Sequence, residues 1–150
     1  MENELLSYYH HDIVRSIPSV IDGLKLCQRK IMYAALQSGS GIHKVDVLVG
    51  QVCGQTSYYH GESVLSLAII GMAQDFVGTN NVNLLDPVGH FGCRHFGPKE
   101  SGASRYLSYA LNSITNALIL PADNPFLSYR VDDGHFIEPE TFPRFYRSCC

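Results

Sequence analysis

Positive charge is scarce in this sequence. Its 150 residues carry 11 Lys and Arg against 14 Asp and Glu, a formal net charge of −3. A free-standing polyanion binder carries the opposite surplus, so nucleic-acid affinity has to come from local clusters of cations or from partner domains. No apolar run reaches the ~20 residues that cross a bilayer, which excludes a helical membrane span. The five cysteines, Cys27, Cys53, Cys93, Cys149 and Cys150, form no Cys-x-x-Cys pair and no disulfide-framework spacing. With no signal peptide at the N-terminus, they are expected to be reduced thiols of a soluble intracellular protein. Cys93 and His95 are too close together and too isolated for a zinc site. Internal repeats and low-complexity linkers are also missing.

What is present suits one domain with a real core: 150 residues, 45% of them hydrophobic, which excludes a disordered chain. ENELLSYYHHDIV predicts a short amphipathic helix. SIPSVIDGLK is turn-rich and extended, because Pro18 and Gly23 interrupt helix. QRKIMYAALQSG predicts a helix, with Ile31, Met32, Ala35 and Leu36 at helical spacing and Gly39 as its stop. KVDVLVGQVCG, from Lys44, reads as a second helix, although its β-branched residues leave a strand open. Ser63 to Phe76 is apolar on nearly every face and predicts a helix packed on several sides.

Two helices joined by GQTSYYHG suit a helix-turn-helix. After Gly78, Asn, Gly and Pro dominate and predict a β-hairpin with loops, LLDPVGHFG being a turn between two short strands. Helix is expected to resume at Ser104, where Leu107, Leu111, Ile114 and Leu118 repeat, and to stop at Pro121. The remainder reads as strands and turns, with Asp132-Asp133 a turn. Together these elements predict an α+β, mainly helical fold: a winged-helix domain over 1–120, with a helix-turn-helix and a β-hairpin wing, and another unit beginning over 121–150.

The stretch GPKESGASRY sets Arg105 beside Tyr106 behind small residues. If Ser104 caps a helix, unpaired backbone N–H groups and the helix dipole make a phosphate site there. Arg105 adds a permanent cation able to grip a phosphate with two hydrogen bonds. A phenol, with an ordinary pKa near 10, is a poor nucleophile at neutral pH and needs such charge stabilisation. The residues alone leave two readings open: covalent attack on a phosphodiester, or a packing tyrosine with a wet hydroxyl.

RSIPSVIDGLKLCQRKIMYA, SYYHGESVLSLAIIGMAQDFVGTNNVNLLDPVGHFG and GPKESGASRY resemble, in order, the DNA-breakage region of type IIA DNA topoisomerases. The resemblance runs from about Arg15 to Glu140, and FVGTNNVNLL is similar to the eukaryotic and large-DNA-virus type II enzymes. It implies that Tyr106 is the nucleophile, forming a 5′-phosphotyrosyl bond, with Arg105 stabilising charge on the phosphate. His60 in YHGE matches a histidine near the scissile group. Arg15 in RSIPS and Lys25 in DGLK match cations lining the cleavage site. Arg29 and Lys30 match backbone-contacting positions, and Lys44, Ser63 and Lys99 are further DNA-binding candidates.

Bland readings stand beside these. The four cations Arg15, Lys25, Arg29 and Lys30 also suit a solvated face, and His60 a helix cap. Gly89, Gly92 and Gly97 shape the wing on either view. Leu26-Cys27 departs from the family's Pro-Gly, and Tyr59 replaces a first histidine. The tail RFYRSCC does not continue the pattern.

The resemblance implies a homodimeric parent acting on double-stranded DNA and using Mg2+ and ATP. Both cofactors would be held by an acidic metal-binding domain and an ATPase domain outside these residues, so no metal ligand is expected here. The second unit would be the start of a tower domain, and the segment alone would be inactive. The nucleus is the expected location, with a cytoplasmic viral factory as the alternative. Two other classes fit the residues: a non-catalytic winged-helix DNA-binding module, and a structural dimerisation domain.

Overall fold

The computed structural model describes residues 2–79 and 82–142. The tail RFYRSCC, with Cys149 and Cys150, lies outside the described residues. Helix α1 spans Glu2–Ser16, and its Leu5, Leu6, Tyr9 and Ile13 stay exposed. The turn-rich stretch from Ile17 leads to α2, Leu26–Gln37, which buries Ile31, Met32, Ala34 and Ala35. Gly39, at φ 77°, leaves the helix in the left-handed region that a side chain resists.

Strand β1, His43–Lys44, runs directly into α3, Val45–Thr56, and α4 follows at Glu62–Ala73. The turn between α3 and α4 is made by Ser57, at φ 48°, and Gly61, at φ 92°. Helix α4 buries Leu65, Ile69, Ile70, Met72 and Ala73 but leaves Val64 and Leu67 exposed. Helices α2 and α3 and strand β2 all pack against α4, as expected of a helix packed on several sides, and its exposed strip is limited to Glu62, Ser63, Val64, Leu67 and Gly71.

Strand β2, Leu85–Val88, pairs antiparallel with β3, Ser108–Leu111, and β3 pairs on its other edge with β1. This corrects two expectations. LLDPVGHFG is not a turn between two strands, because the partner of β2 lies twenty residues on, across a long wing loop. The helix expected from Ser104 is also absent: Ser104–Tyr106 is a 3₁₀ turn, and Ser108–Leu111 is the central strand of the sheet. Leu107 and Tyr109 are buried there, and ladder bonds to two neighbours outweigh the four-and-three apolar spacing. Helix returns only as α5, Ser113–Leu118, capped by the Asn112 side chain accepting from the Ile114 N–H at 2.8 Å.

Gln74 pins the wing loop from behind α4. Its side-chain amide donates to the carbonyls of Phe91 at 2.7 Å and Pro98 at 3.0 Å. Gly92, at φ 96°, passes so close that an added Cβ would lie 2.9 Å from the Gly97 carbonyl oxygen. The helix-turn-helix α3–α4 followed by the β2–β3 wing is a winged-helix arrangement.

A second two-stranded sheet, β4 (Tyr129–Asp132) and β5 (His135–Pro139), closes on a turn at Asp133 and Gly134. Its β5 packs against α2 and α3, and Ile119 and Phe142, which flank the hairpin in sequence, join the cluster of Ile31, Leu48, Leu65 and Leu85. Asp22 ties the entry to α2 to the segment after β5. Its buried carboxylate accepts from the Leu24 N–H (2.9 Å), from Arg29 Nε (2.7 Å) and Nη2 (3.0 Å), and from the Phe142 N–H (3.1 Å).

Candidate active site

Two charged regions stand at opposite ends of α3. The first is an open groove of about 810 Å³ at its C-terminal end. Arg15, in the last turn of α1, Lys25, at the start of α2, and His60, in the α3–α4 turn, all line it. Lys25 holds its place through its backbone N–H, which donates to Gln28 Oε1 at 2.9 Å. Arg15 is half-exposed, and its guanidinium lies 3.9 Å from Asp12. His60 stacks edge-on against Tyr58, with centroids 5.6 Å apart. Burial pushes the Tyr58 phenol up to about 12, and the neighbouring Cys27 thiol adds to the shift. Burial likewise raises Cys27, so this thiol is held protonated in the groove wall.

Lys30 also reaches the groove, but its ammonium is committed: it donates to the Thr56 carbonyl and to Glu138 Oε2 at 2.9 Å. Arg29 is further inside, 6% exposed, with its guanidinium on Asp22 and on the Leu24 carbonyl at 3.1 Å. Arg29 and Lys30, expected at backbone-contacting positions or on a solvated face, are instead largely buried and ion-paired within the chain. Both neutralise buried carboxylates, and Arg29 acts as a strut behind the groove. Ser63 stands in the first turn of α4, exposed beside groove-lining Val64.

The second region is the tyrosine turn. Tyr106 is 73% exposed, and the Arg105 guanidinium carbon lies 5.6 Å from its ring centroid. The turn is closed by the Tyr106 N–H donating to the Ala103 carbonyl at 2.9 Å and the Leu107 N–H to Ser104 at 3.1 Å. Ser104 does not cap it with its side chain, and a three-residue 3₁₀ turn lacks the aligned dipoles of an α-helix. The phosphate site expected from a helix N-terminus is thus not present, leaving Arg105 as the charge at this point. Lys44 is nearby: β1 pairs Lys44 with Ser108, two residues past Tyr106. Lys99 is exposed on the wing loop.

The two regions do not meet within one chain. The Val45 N–H, opening α3, donates to the Leu107 carbonyl at 3.1 Å, whereas Ser57 to His60 follow its last turn. Twelve helical residues span about 18 Å. Neither Arg105 nor Tyr106 lines the groove. Within one copy, Arg15, Lys25 and His60, which the resemblance implies near the scissile group, thus lie apart from Tyr106 and Arg105.

The family of the DNA gyrase/topoisomerase IV "A" subunits matches residues 15–146. The chain belongs to this topoisomerase family. Among its relatives are DNA topoisomerase 2 of Arabidopsis thaliana, 46% identical over 93% of this chain and 10% of the relative, and of Drosophila melanogaster, 43% identical over 91% and 10%. Human DNA topoisomerase 2-alpha is 41% identical over 95% of this chain and 9% of its own length. The chain therefore spans about a tenth of the length of the curated relatives it matches. The solved structure of the Plasmodium falciparum topoisomerase II DNA-binding, cleavage and re-ligation domain superposes with a TM-score of 0.87. It is 42% identical, over 93% of this chain and 19% of that one. The winged-helix reading and the eukaryotic type of the resemblance both stand.

Sequence reasoning missed two residues: Arg130, which lines the groove from β4, and buried Glu138 behind it on β5. The Asp-Asp-Gly turn signals their hairpin, but nothing local shows that it folds back onto α2. Among the described residues no three His, Cys, Asp or Glu side chains converge on a metal position. None of the described helices is long and apolar enough to cross a membrane.

Proposed function

We propose that this chain is the DNA-breaking segment of a homodimeric type II topoisomerase, with Tyr106 as the nucleophile. The observation that carries this reading is the exposure of Tyr106 on a tight turn beside Arg105, in a family whose relatives are named topoisomerase 2. The phenolic oxygen forms a bond to phosphorus while the bond from phosphorus to the 3′ oxygen breaks. The phenol loses its proton, and the departing 3′ oxygen gains one to become a hydroxyl. A 5′-phosphotyrosyl link keeps the bond energy, so the reverse attack by the 3′-hydroxyl reseals the strand without ATP.

Each half-site lacks what the other holds. The tyrosine turn carries the nucleophile and Arg105, while the groove carries Arg15, Lys25 and His60. With about 18 Å of α3 between them, side chains of one copy cannot close the gap. A second copy, placing its Tyr106 at the mouth of the first copy's groove, completes the constellation. Arg15 and Lys25 then hold the scissile phosphate, and Arg105 stabilises charge developing on it. His60 hydrogen-bonds the phosphate or accepts the phenolic proton. Strand passage, ATP use and magnesium belong to the parent enzyme in this reading, as does a nuclear location.

Tyr106→Phe in the parent enzyme tests the assignment. Loss of covalent protein–DNA adducts is expected, with duplex binding retained. Adducts persisting in this variant would place the nucleophile elsewhere and favour a non-catalytic DNA-binding module.

A further inference from the structure

Arg130 and Glu138 form a charge arrangement on the groove wall that the proposed cleavage chemistry does not use. Glu138 is fully buried on β5, and its two oxygens face different cations. Oε2 accepts from Lys30 Nζ at 2.9 Å. Among the described residues Oε1 accepts no hydrogen bond, and it faces Arg130 Nε at 3.9 Å. Lys30 alone neutralises the carboxylate, so the Arg130 charge is left over. Its side chain is 43% exposed and borders the groove that holds Arg15, Lys25 and His60.

We propose that Arg130 is a phosphate-binding residue of this groove, held in place from behind by Glu138. The proposal rests on the groove being the DNA site. A guanidinium has five N–H donors; with Nε turned towards Glu138, the four on its Nη atoms remain for a second anion. The Oε1 contact, too long for a hydrogen bond, orients the side chain without consuming it. Asp132, at the end of the same strand, is the one acidic residue lining the groove among those described, and it opposes the effect. Arg15, Lys25 and Arg130 outnumber it, with the Lys30 charge already balanced by Glu138. DNA phosphate in the groove thus meets a cation from the β4–β5 hairpin as well as from the helices, so the hairpin is part of the DNA interface.

A structural rival exists on the other side of Arg130, where it borders a smaller cleft with Glu140. If Arg130 serves only to neutralise carboxylates, its loss changes stability and not the salt dependence of DNA binding. The test compares Arg130→Gln, Arg130→Lys and Arg15→Gln in the full-length homodimer, titrating a mixed-sequence duplex at several salt concentrations and recording Tm. Removing one phosphate-binding cation lowers the slope of log K against log salt by about 0.9 per protomer. Arg130→Gln is expected to show that fall, and Arg130→Lys to restore the slope. A parental slope in Arg130→Gln, alongside a lowered one in Arg15→Gln, overturns the proposal while leaving the groove as the DNA site. Parental slopes in both overturn the DNA-binding groove itself, and the proposal with it.

Discussion

Asp22 is the side chain whose removal tests the packing of this chain most sharply. Its carboxylate is 1% exposed and accepts, among the described residues, from Arg29 Nε and Nη2, from the chain entering α2, and from Phe142 at the far end of the described chain. Asp22→Ala leaves the Arg29 guanidinium buried against the Leu24 carbonyl with no carboxylate to balance its charge. Breaking one side of a buried, hydrogen-bonded ion pair costs about 3–5 kcal/mol. At roughly 2–4 °C per kcal/mol for a chain of this size, Tm should fall on the order of 10 °C. Urea unfolding followed by circular dichroism reads the loss directly. The double change Asp22→Leu with Arg29→Met should recover most of it, because a well-packed apolar pair can replace a buried ion pair at little net cost. A loss under about 1 kcal/mol for Asp22→Ala would contradict a strut role. So would an Arg29→Met chain that keeps full stability but loses one unit of salt slope in DNA binding, which would return Arg29 to the surface.

Three further outcomes concern Tyr58, Gly92 and Glu138. Tyr58 keeps its proton to about pH 12 when folded, whereas an unfolded phenol loses it near 10. The stability it contributes is complete below pH ~10 and drains away as pH rises towards ~12, and this part of the alkaline unfolding curve should vanish in Tyr58→Phe. Gly92→Ala forces a side chain into φ 96° and against the Gly97 carbonyl. About 1–3 kcal/mol should be lost, read by urea midpoint, with an unchanged midpoint contradicting the close approach. Glu138→Ala strands Lys30 in the interior and should destabilise the chain by about 3–5 kcal/mol, while Glu138→Ala with Lys30→Met should restore much of it.

The helices were legible in the sequence because their apolar residues recur at helical spacing, as in Ile31, Met32, Ala35 and Leu36 of α2. The winged-helix arrangement was legible from their order. Residues 104–111 were not. Leu107, Leu111 and Ile114 mimic a helix stripe, and only the two strands on either side of Ser108–Leu111 decide otherwise. Those partners are 20 to 66 residues away, beyond the reach of any local pattern.

The site split in the same manner. Tyr106, Arg105, Arg15 and His60 could be named from motifs, but a motif carries no information on which end of α3 each occupies. Arg29 and Lys30 looked like free cations because their partners, Asp22 and Glu138, lie 7 and 108 residues away. The longer separation could not be read from spacing.

The central claim is that Tyr106 of one copy works in the groove of the other. A heterodimer of an Arg15→Ala chain with a Tyr106→Phe chain tests it, since each chain as a homodimer should form no covalent adduct. Mixed, the intact tyrosine of the Arg15→Ala chain meets the intact groove of the Tyr106→Phe chain, and DNA should become covalently attached to the Arg15→Ala chain alone, with one strand cut. A heterodimer as inert as either homodimer would mean that tyrosine and groove must come from the same chain, and would contradict the separation along α3.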